Sequence, residues 1–563
     1  MTSRTSTAPA RTVREHPHYV IGLLFALRED PDCVVVRWRD RALTAREVHA
    51  SVVAAASGLA AHGVGPETIL GILTEPNSPG TLVARYAAHL LGAGVVHVAS
   101  TNAASSEAVL SVAAQVSALR ETGAALLVVD AANVDRAREL RARLPEPLAL
   151  VCLSGPAPGF LDLTAAAGAY GFLNDLKDPT ASVALITKSP GVITYTSGST
   201  GRPKGVRRSL STWNHMVAAT VDSGSRPRML VTTPLSHTIG PMVDAAITSG
   251  GSVVLHEEFE AGAVLEAVST HRVTRTFLAS PHIYELLDHP DFESTDLSSL
   301  RELLYGGCPA SPARLEQAVR ALGPVLIQTY GTTESWGISV LTPPDHLRPE
   351  LLASVGRPLP GVDVVIRDPE TGRDLPSATT GEVCVRSPVM MEGYCGDGDP
   401  VRSVLNDGWL RTGDLGHLDD EGCLHLVGRL GDVIKSKGEK VHPVAVENAL
   451  LSHPRVAQAA VYGVRDADEV EHVHAAVVLH GAPDGRSSAE WARQTAEGAR
   501  DAVVTELREH VATTLSPFHA PAVITLRERL PLTASGKPDK RLLRAEARAR
   551  PSECHHMESE SVQ

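Results

Sequence analysis

The stretch YTSGSTGRPKGVRRS, Tyr195 to Ser209, follows an apolar segment and gathers glycines, small hydroxyl residues and a lysine into one loop. That composition suits a phosphate. Gly198 and Gly201 let backbone N–H groups approach and turn outward. Thr196, Ser197, Ser199 and Thr200 offer further hydrogen bonds, and Lys204 adds charge. Set against the Walker pattern GxxxxGK[ST] and counted from Gly198, the lysine is in register. However, Pro203 replaces the second glycine and Gly205 replaces the Ser or Thr. No hydroxyl follows the lysine to hold magnesium, which argues against a kinase or a P-loop ATPase. Arg207 and Arg208 are assigned to the flanking strand or the surface. Taken alone, the stretch is equally compatible with a flexible surface loop.

The flanking sequence reads as alternating strands and helices. TAREVHASVVAAASGLAA (44–61) places Val48, Val52, Ala56, Leu59 and Ala60 on one helical face, and Gly63 ends it. ETILGIL reads as a buried strand, SPGTLVARYAAHLLGAG as a helix, and VVHVA, ALLVVD and LALVCL as further strands. This alternation predicts a mainly parallel α/β sheet covered by helices. After about 350 the strands alternate in polarity (VDVVIRDPETGRDL, GEVCVRSP), as in a small antiparallel unit. The texture changes again after Arg429, with two strands (QAAVYGV, VHAAVVLH), a long helix near 489–514 and a basic end. The expected architecture is α/β. A large domain of α/β subdomains with an antiparallel unit spans 1–430, and a small, mobile α+β domain spans 431–545. Residues 1–18 are expected to be mobile and 546–563 disordered.

At 563 residues the chain exceeds a single core. Its net charge of −13 argues against general binding to nucleic acid or anionic membranes. Seven dispersed cysteines without a CxxC pair fit reduced thiols, and the apolar run YVIGLLFAL is too short to span a bilayer. A cytoplasmic protein is expected, with monomer or homodimer left open.

The loop has company: YGTTE at 330–334, GWLRTGDLG at 408–416, GRLGDVIKSKGEKVHP at 428–443 and PLTASGKPDK at 531–540. Together with YTSGSTGRPKG, these motifs resemble, in order, those of the adenylate-forming superfamily. That group includes acyl- and aryl-CoA ligases such as coumarate-CoA ligases, luciferase and peptide-synthetase adenylation domains. The resemblance implies a two-step reaction using ATP and Mg²⁺: a carboxylate attacks the α-phosphate to give an acyl-adenylate and pyrophosphate, and a thiol, usually coenzyme A, then displaces AMP. It implies that Lys537 bridges carboxylate and α-phosphate, that Glu334 binds Mg²⁺, and that Thr333 reaches the α-phosphate. Tyr330, with Gly331 and Thr332 beside it, would stack on adenine, walled by Gly306, Gly307 and Cys308. Asp414 and Arg429 would hold the ribose. In a second orientation of the small domain, Lys435, Lys437, Gly438 and Lys440 would meet CoA. Gly431 stands at the hinge, where the family usually has Asp or Lys.

The acid pocket implied by the resemblance holds His237, Met242, His282, Tyr305, Gly306, Ser335 and Trp336, with His237 also a catalytic candidate. An aspartate near the position of His237 would be expected in an amino-acid-activating domain, and PLSHTIG lacks it. The first expectation is therefore an aryl or aryl-acrylic acid. Fatty acids remain open, as does nitrite activated for diazotisation of an arylamine, as in relatives from secondary metabolism. A non-catalytic nucleotide binder would be expected to have lost Lys537 or Glu334, and both are present.

Overall fold

The computed structural model describes residues 17–98, 110–163, 186, 189–196, 204–221, 224–396, 404–436, 438–466, 468–480, 497–533 and 537–549. The phosphate-loop residues Ser197, Gly198, Ser199, Thr200 and Gly201, and Lys437 of the basic loop, lie outside these.

Apolar strands with both faces buried require covering layers, and the large domain supplies two such sheets. One has seven strands in the order Gly393–Tyr394, Lys204–Ser209, Pro190–Thr196, Gly94–His97, Ile69–Leu73, Leu126–Val129 and Ala149–Cys152. It is parallel except at the hairpin that brackets the glycine loop and at its short edge strand. The other has nine strands, with Glu302–Gly306 and Leu326–Thr332 running parallel, side by side, near one edge. The 44–61 helix begins on a capping box between Thr44 and Glu47 and runs Ala45–Ala61. The antiparallel unit is a third sheet, in which Asp363–Arg367, Gly381–Arg386 and Trp409–Leu418 pair in turn and Leu424–Arg429 pairs with Trp409–Leu418.

The chain leaves this unit through a 3-10 turn, Leu430–Asp432, into a hairpin of Ile434–Ser436 and Glu439–Val441. Beyond it lies a three-stranded sheet. Val456–Arg465 and Glu471–Leu479 correspond to the two expected strands, and Val523–Arg527 adds a third, parallel strand. Only Ile524 of this strand is buried, so its pattern in sequence is weak. The last helix, Lys540–Ala549, extends past the 545 boundary expected from sequence, because Leu543 is buried and Glu546 pairs with Arg527. The six described cysteines are free, and no described helix is long and apolar enough to cross a membrane.

The helices between the two large sheets meet at Asp244. Its side chain accepts hydrogen bonds from Arg85 Nη2 (2.6 Å), Tyr86 Oη (2.7 Å) and Trp213 Nε1 (2.9 Å). Arg85 and Asp244 are both fully buried; burial works against the arginine's charge, and Asp244 together with Tyr86 and Tyr19 more than offsets it. Removing one partner of such a pair leaves an uncompensated charge. Asp244→Ala is expected to lower the stability of the large domain by about 3–5 kcal/mol. An Arg85→Met/Asp244→Leu double variant should recover much of that, as read from denaturant midpoints.

Candidate active site

Three structural edges converge on one cleft. The strands ending at Gly306 and Thr332 deliver Gly307, Cys308 and the YGTTE turn at their carboxyl ends, where parallel sheets place ligands. The antiparallel unit contributes Asp414, paired in register with Arg429 on the adjoining strand. The small domain contributes Lys537. Its loop is closed by Thr533 N donating to the Lys537 carbonyl at 2.6 Å and is continuous with the helix whose first turn Asp539 caps.

Lys537 lies against Gly307. A Cβ on that glycine would stand 3.4 Å from Lys537 Cε and 4.0 Å from Nζ, and the glycine's φ of +83° is one that side chains rarely adopt. Desolvation lowers the Lys537 pKa; Arg429 adds to this, while Cys308 and Asp414 oppose it. Burial raises the Cys308 pKa, keeping the thiol neutral. Tyr330 is buried and donates to Asp414 Oδ2 at 2.7 Å, and Arg429 Nε donates to Asp414 Oδ1 at 3.0 Å. Burial and the adjacent carboxylate raise the Tyr330 pKa, and Asp414 raises that of Arg429. Lys537, Cys308, Asp414, Arg429 and Tyr330 thus form one electrostatic group.

In the YGTTE turn, Thr332 Oγ1 accepts from Ser335 N at 3.2 Å and lies 3.0 Å from Ser335 Oγ, so the buried Ser335 is engaged within the turn. Trp336 follows with φ +60°, and its carbonyl would stand 1.9 Å from a Cβ on Gly331, so only glycine fits there. Thr333 and Glu334 are half-buried. Tyr394 Oη donates to Glu334 Oε1 at 2.8 Å, and Lys204 Nζ stands over the Tyr394 ring, 5.3 Å from its centroid. Tyr394 thereby links the end of the glycine loop to the acidic turn. It was not anticipated from sequence; its one local signal is an aromatic between glycines in EGYCG.

His237 precedes the Ile239–Thr248 helix, with Ser236 Oγ 2.7 Å from its Nδ1 and its Nε2 buried without a partner. Desolvation holds its pKa down to about 4, with Arg208 and Lys537 adding to the effect and the Tyr195 backbone opposing it. The ring is neutral near pH 7. Met242 lies one helical turn on and is buried in the core that also receives Trp336, whose Nε1 is buried and unpartnered. His282 stacks flat on Phe259, with centroids 4.0 Å apart, and burial lowers its pKa to about 4. Tyr305 turns its hydroxyl inward to His346 Nε2 (2.8 Å), which makes it a core residue in its polar contacts. The basic hairpin points elsewhere: Lys435, Gly438 and Lys440 are exposed, with Lys435 opposite Lys440. Arg207 and Arg208 both lie on the flanking strand Lys204–Ser209, as expected, with Arg207 exposed and Arg208 buried.

A carboxylate–guanidinium pair thus lies beside a desolvated lysine at the carboxyl ends of two parallel strands. Comparison with known proteins supplies the family. Residues 25–395 match the AMP-binding enzyme model and residues 445–537 the AMP-binding enzyme C-terminal domain model. The chain belongs to this family, within the adenylate-forming superfamily, and is an AMP-forming acid–CoA ligase or a related adenylate-forming ligase. It is 34% identical over 533 residues to a feruloyl-CoA synthase of Amycolatopsis sp, covering 93% of this chain and 97% of that one. Among solved structures, the amide bond synthetase McbA from Marinactinospora thermotolerans is 34% identical with a TM-score of 0.77, covering 94% and 99% of the two chains. The o-succinylbenzoate CoA synthetase from Bacillus subtilis, in complex with its acyl-adenylate intermediate, is 27% identical with a TM-score of 0.71, covering 94% and 98%.

The Tyr330–Asp414 hydrogen bond is directly testable. Tyr330→Phe removes one donor to a carboxylate, an interaction worth about 1.5–3 kcal/mol. The KM for ATP in pyrophosphate release should rise about tenfold, with little change in the KM for the acid.

Proposed function

We propose that the protein activates an aryl or aryl-acrylic acid with ATP, releasing pyrophosphate, and transfers the acyl group from AMP to coenzyme A. The observation that carries this reading is Lys537 lodged against Gly307 beside the Asp414–Arg429 pair. In the first step a substrate carboxylate oxygen bonds to the α-phosphorus and the bond to pyrophosphate breaks. Two anions must meet, so positioning and charge neutralisation dominate catalysis. Lys537 is assigned to bridge the carboxylate and the α-phosphate. Asp414 accepts the ribose hydroxyls, Tyr330 packs against the adenine, and Arg429 closes the ribose side. Thr333 and the glycine loop hold phosphate oxygens.

The metal reading fits in a specific form. Among the described residues no group of three or more His, Cys, Asp or Glu stands ready to ligate a metal. A lone half-buried carboxylate suits Mg²⁺, which keeps waters and takes phosphate oxygens as its other ligands. Glu334 would hold it, oriented by Tyr394, and the ion would supply charge neutralisation on the phosphates.

The neutral His237, the apolar Met242 and the Trp336 ring support a planar acyl body, and the relative named for feruloyl-CoA supports the aryl-acrylic class. A second reading, transfer to an amine in place of a thiol, is favoured by the likeness to the amide bond synthetase. For thiol transfer, the small domain would turn about Gly431 and bring Lys435, Lys437, Gly438 and Lys440 to the cleft.

The deciding experiment is a panel of benzoates, cinnamates, fatty acids and nitrite, scored for AMP and pyrophosphate with and without CoA or an amine. ADP with orthophosphate would refute adenylation. Lys537→Ala should abolish adenylate formation yet spare thioester formation from supplied acyl-adenylate; equal loss of both contradicts the assignment. The ammonium must be protonated to act, and its pKa is lowered. The alkaline limb of kcat/KM for pyrophosphate release should therefore fall below the pH expected of a free lysine, and Lys537→Arg should move it upward.

Gly431 sits in a 3-10 turn with open space around it, and proline shares that φ range. Gly431→Pro should therefore hold the orientation seen here, keeping pyrophosphate release near wild type while slowing thioester formation at least tenfold. Unchanged rates for both steps would move the hinge elsewhere.

A further inference from the structure

Three arginines are buried among the described residues: Arg85, Arg208 and Arg314. Arg85 pairs with Asp244 and Arg314 with Asp288. Arg208 pairs with no described carboxylate. It is 5% exposed, and its Nε has no hydrogen-bond partner. The charged or titratable groups within electrostatic reach of it are Glu334 and His237, but Glu334 takes its hydrogen bond from Tyr394.

Its position in the hairpin shows what it faces. Arg208 stands opposite Val192, and Val206 opposite Thr194. Residues paired across strands share a face, so these four buried side chains lie together. From that face Thr194 Oγ1 donates to the Ser236 carbonyl at 3.0 Å. The turn carrying His237 therefore rests on the same surface that carries Arg208. One further donor packed on the same core as Val192, Trp336 Nε1, is also buried without a partner among the described residues. Native interiors rarely leave buried donors orphaned, and a buried guanidinium with no described carboxylate paired to it is costly. On the proposed reading these donors border the acid pocket, where a substrate anion would supply the acceptor.

We infer that Arg208 is an anion-binding residue of the acid pocket, taking a carboxylate group of the substrate. A guanidinium matches a carboxylate with two parallel hydrogen bonds. The inference rests on the adenylation reading and narrows its substrate class. Lys537, from the small domain, already serves the reacting carboxylate, whereas Arg208 belongs to the fixed wall of the large domain. This arrangement points to a second carboxylate, as in a diacid, and the experiment separates it from the reacting one.

Wild type, Arg208→Gln and Arg208→Lys are compared by pyrophosphate release with cinnamate, 4-carboxycinnamate and the methyl ester of its ring carboxylate, with KM measured separately for acid and ATP. Arg208→Gln should raise the acid KM about tenfold or more, leave the ATP KM unchanged, and be partly rescued by Arg208→Lys. A loss confined to 4-carboxycinnamate assigns Arg208 to a second carboxylate; an equal loss for all three assigns it to the reacting one. Acid KM values within twofold of wild type throughout, or a rise in the ATP KM instead, overturn the inference. Substrate-free melting supplies an arm independent of the acid. Arg208→Met should melt at or above wild type, because it removes a buried charge that no described carboxylate pairs. A drop of several degrees would mark Arg208 as a structural cation and overturn the inference. If wild type releases no pyrophosphate with any acid, the adenylation reading fails, and the melting arm still decides the status of Arg208.

Discussion

The buried carboxylate of Asp244 organises the large domain because it satisfies donors from two other helices at once. Arg85 and Tyr86 come from the Pro79–Leu90 helix and Trp213 from Leu210–Ala218, while Asp244 itself sits on Ile239–Thr248. Such a cluster is more than packing, since each donor fixes an orientation as well as a distance. Its reach extends to the site. Arg85 Nη1 also donates to the Leu235 carbonyl at 3.0 Å, and Asn77 brackets the same segment through the Thr233 carbonyl and the Leu235 N–H. Together with Thr194 on the Ser236 carbonyl, these bonds pin the backbone from Thr233 to Ser236. His237 is therefore held by the interior as well as by its own turn, in which its N–H donates to the Pro234 carbonyl.

That rigidity explains how the pocket tolerates polar atoms that find no partner. Here the surrounding bonds over-determine the geometry, and the orphaned nitrogens persist. Burial drives the His237 pKa down to about 4, so the pocket presents a neutral imidazole where a charge would repel the lysine entering opposite. Proton uptake by the unfolded chain is then favoured as pH falls through the ordinary histidine range toward 4. His237 thus contributes a loss of stability across that acid window.

The sequence exposed the parts whose residue types follow from local constraints. Apolar strands covered on both faces and the helix at 45–61 each follow from a rule acting within a few residues, whereas the glycines at 307 and 331 were placed through the motif resemblance. Asp414 and Arg429, fifteen positions apart, were legible through their motifs, and the antiparallel register brings them together. Tyr394 and Arg208 were not legible, for one reason. Each acquires its role from a partner far along the chain, Tyr394 from Glu334 and Arg208 from the turn at Ser236–His237. An arginine next to another arginine reads as solvated surface, yet strand alternation turns Arg207 outward and Arg208 inward. Tyr305 shows the converse: its position suggested the pocket, but its hydroxyl has a better acceptor inside the fold.

The lowered pKa of Lys537 also bears on how the two domains work together. An inserted ammonium that is desolvated, with Arg429 nearby, is short of negative charge. Any anion bound beside it supplies what is missing, so anionic substrates favour the orientation in which Lys537 is inserted. By linkage, that orientation favours the anions equally. On the proposed reaction, ATP and a carboxylate bring the largest negative charge at the start, and pyrophosphate carries most of it away. The acyl-adenylate left behind holds the lysine less strongly. The same imbalance that assists the first bond-making step thus weakens the domain contact once that step is complete. On that proposed reaction, loss of the leaving group would remove the charge that favours Lys537 insertion, and so would favour release of the small domain for the second step.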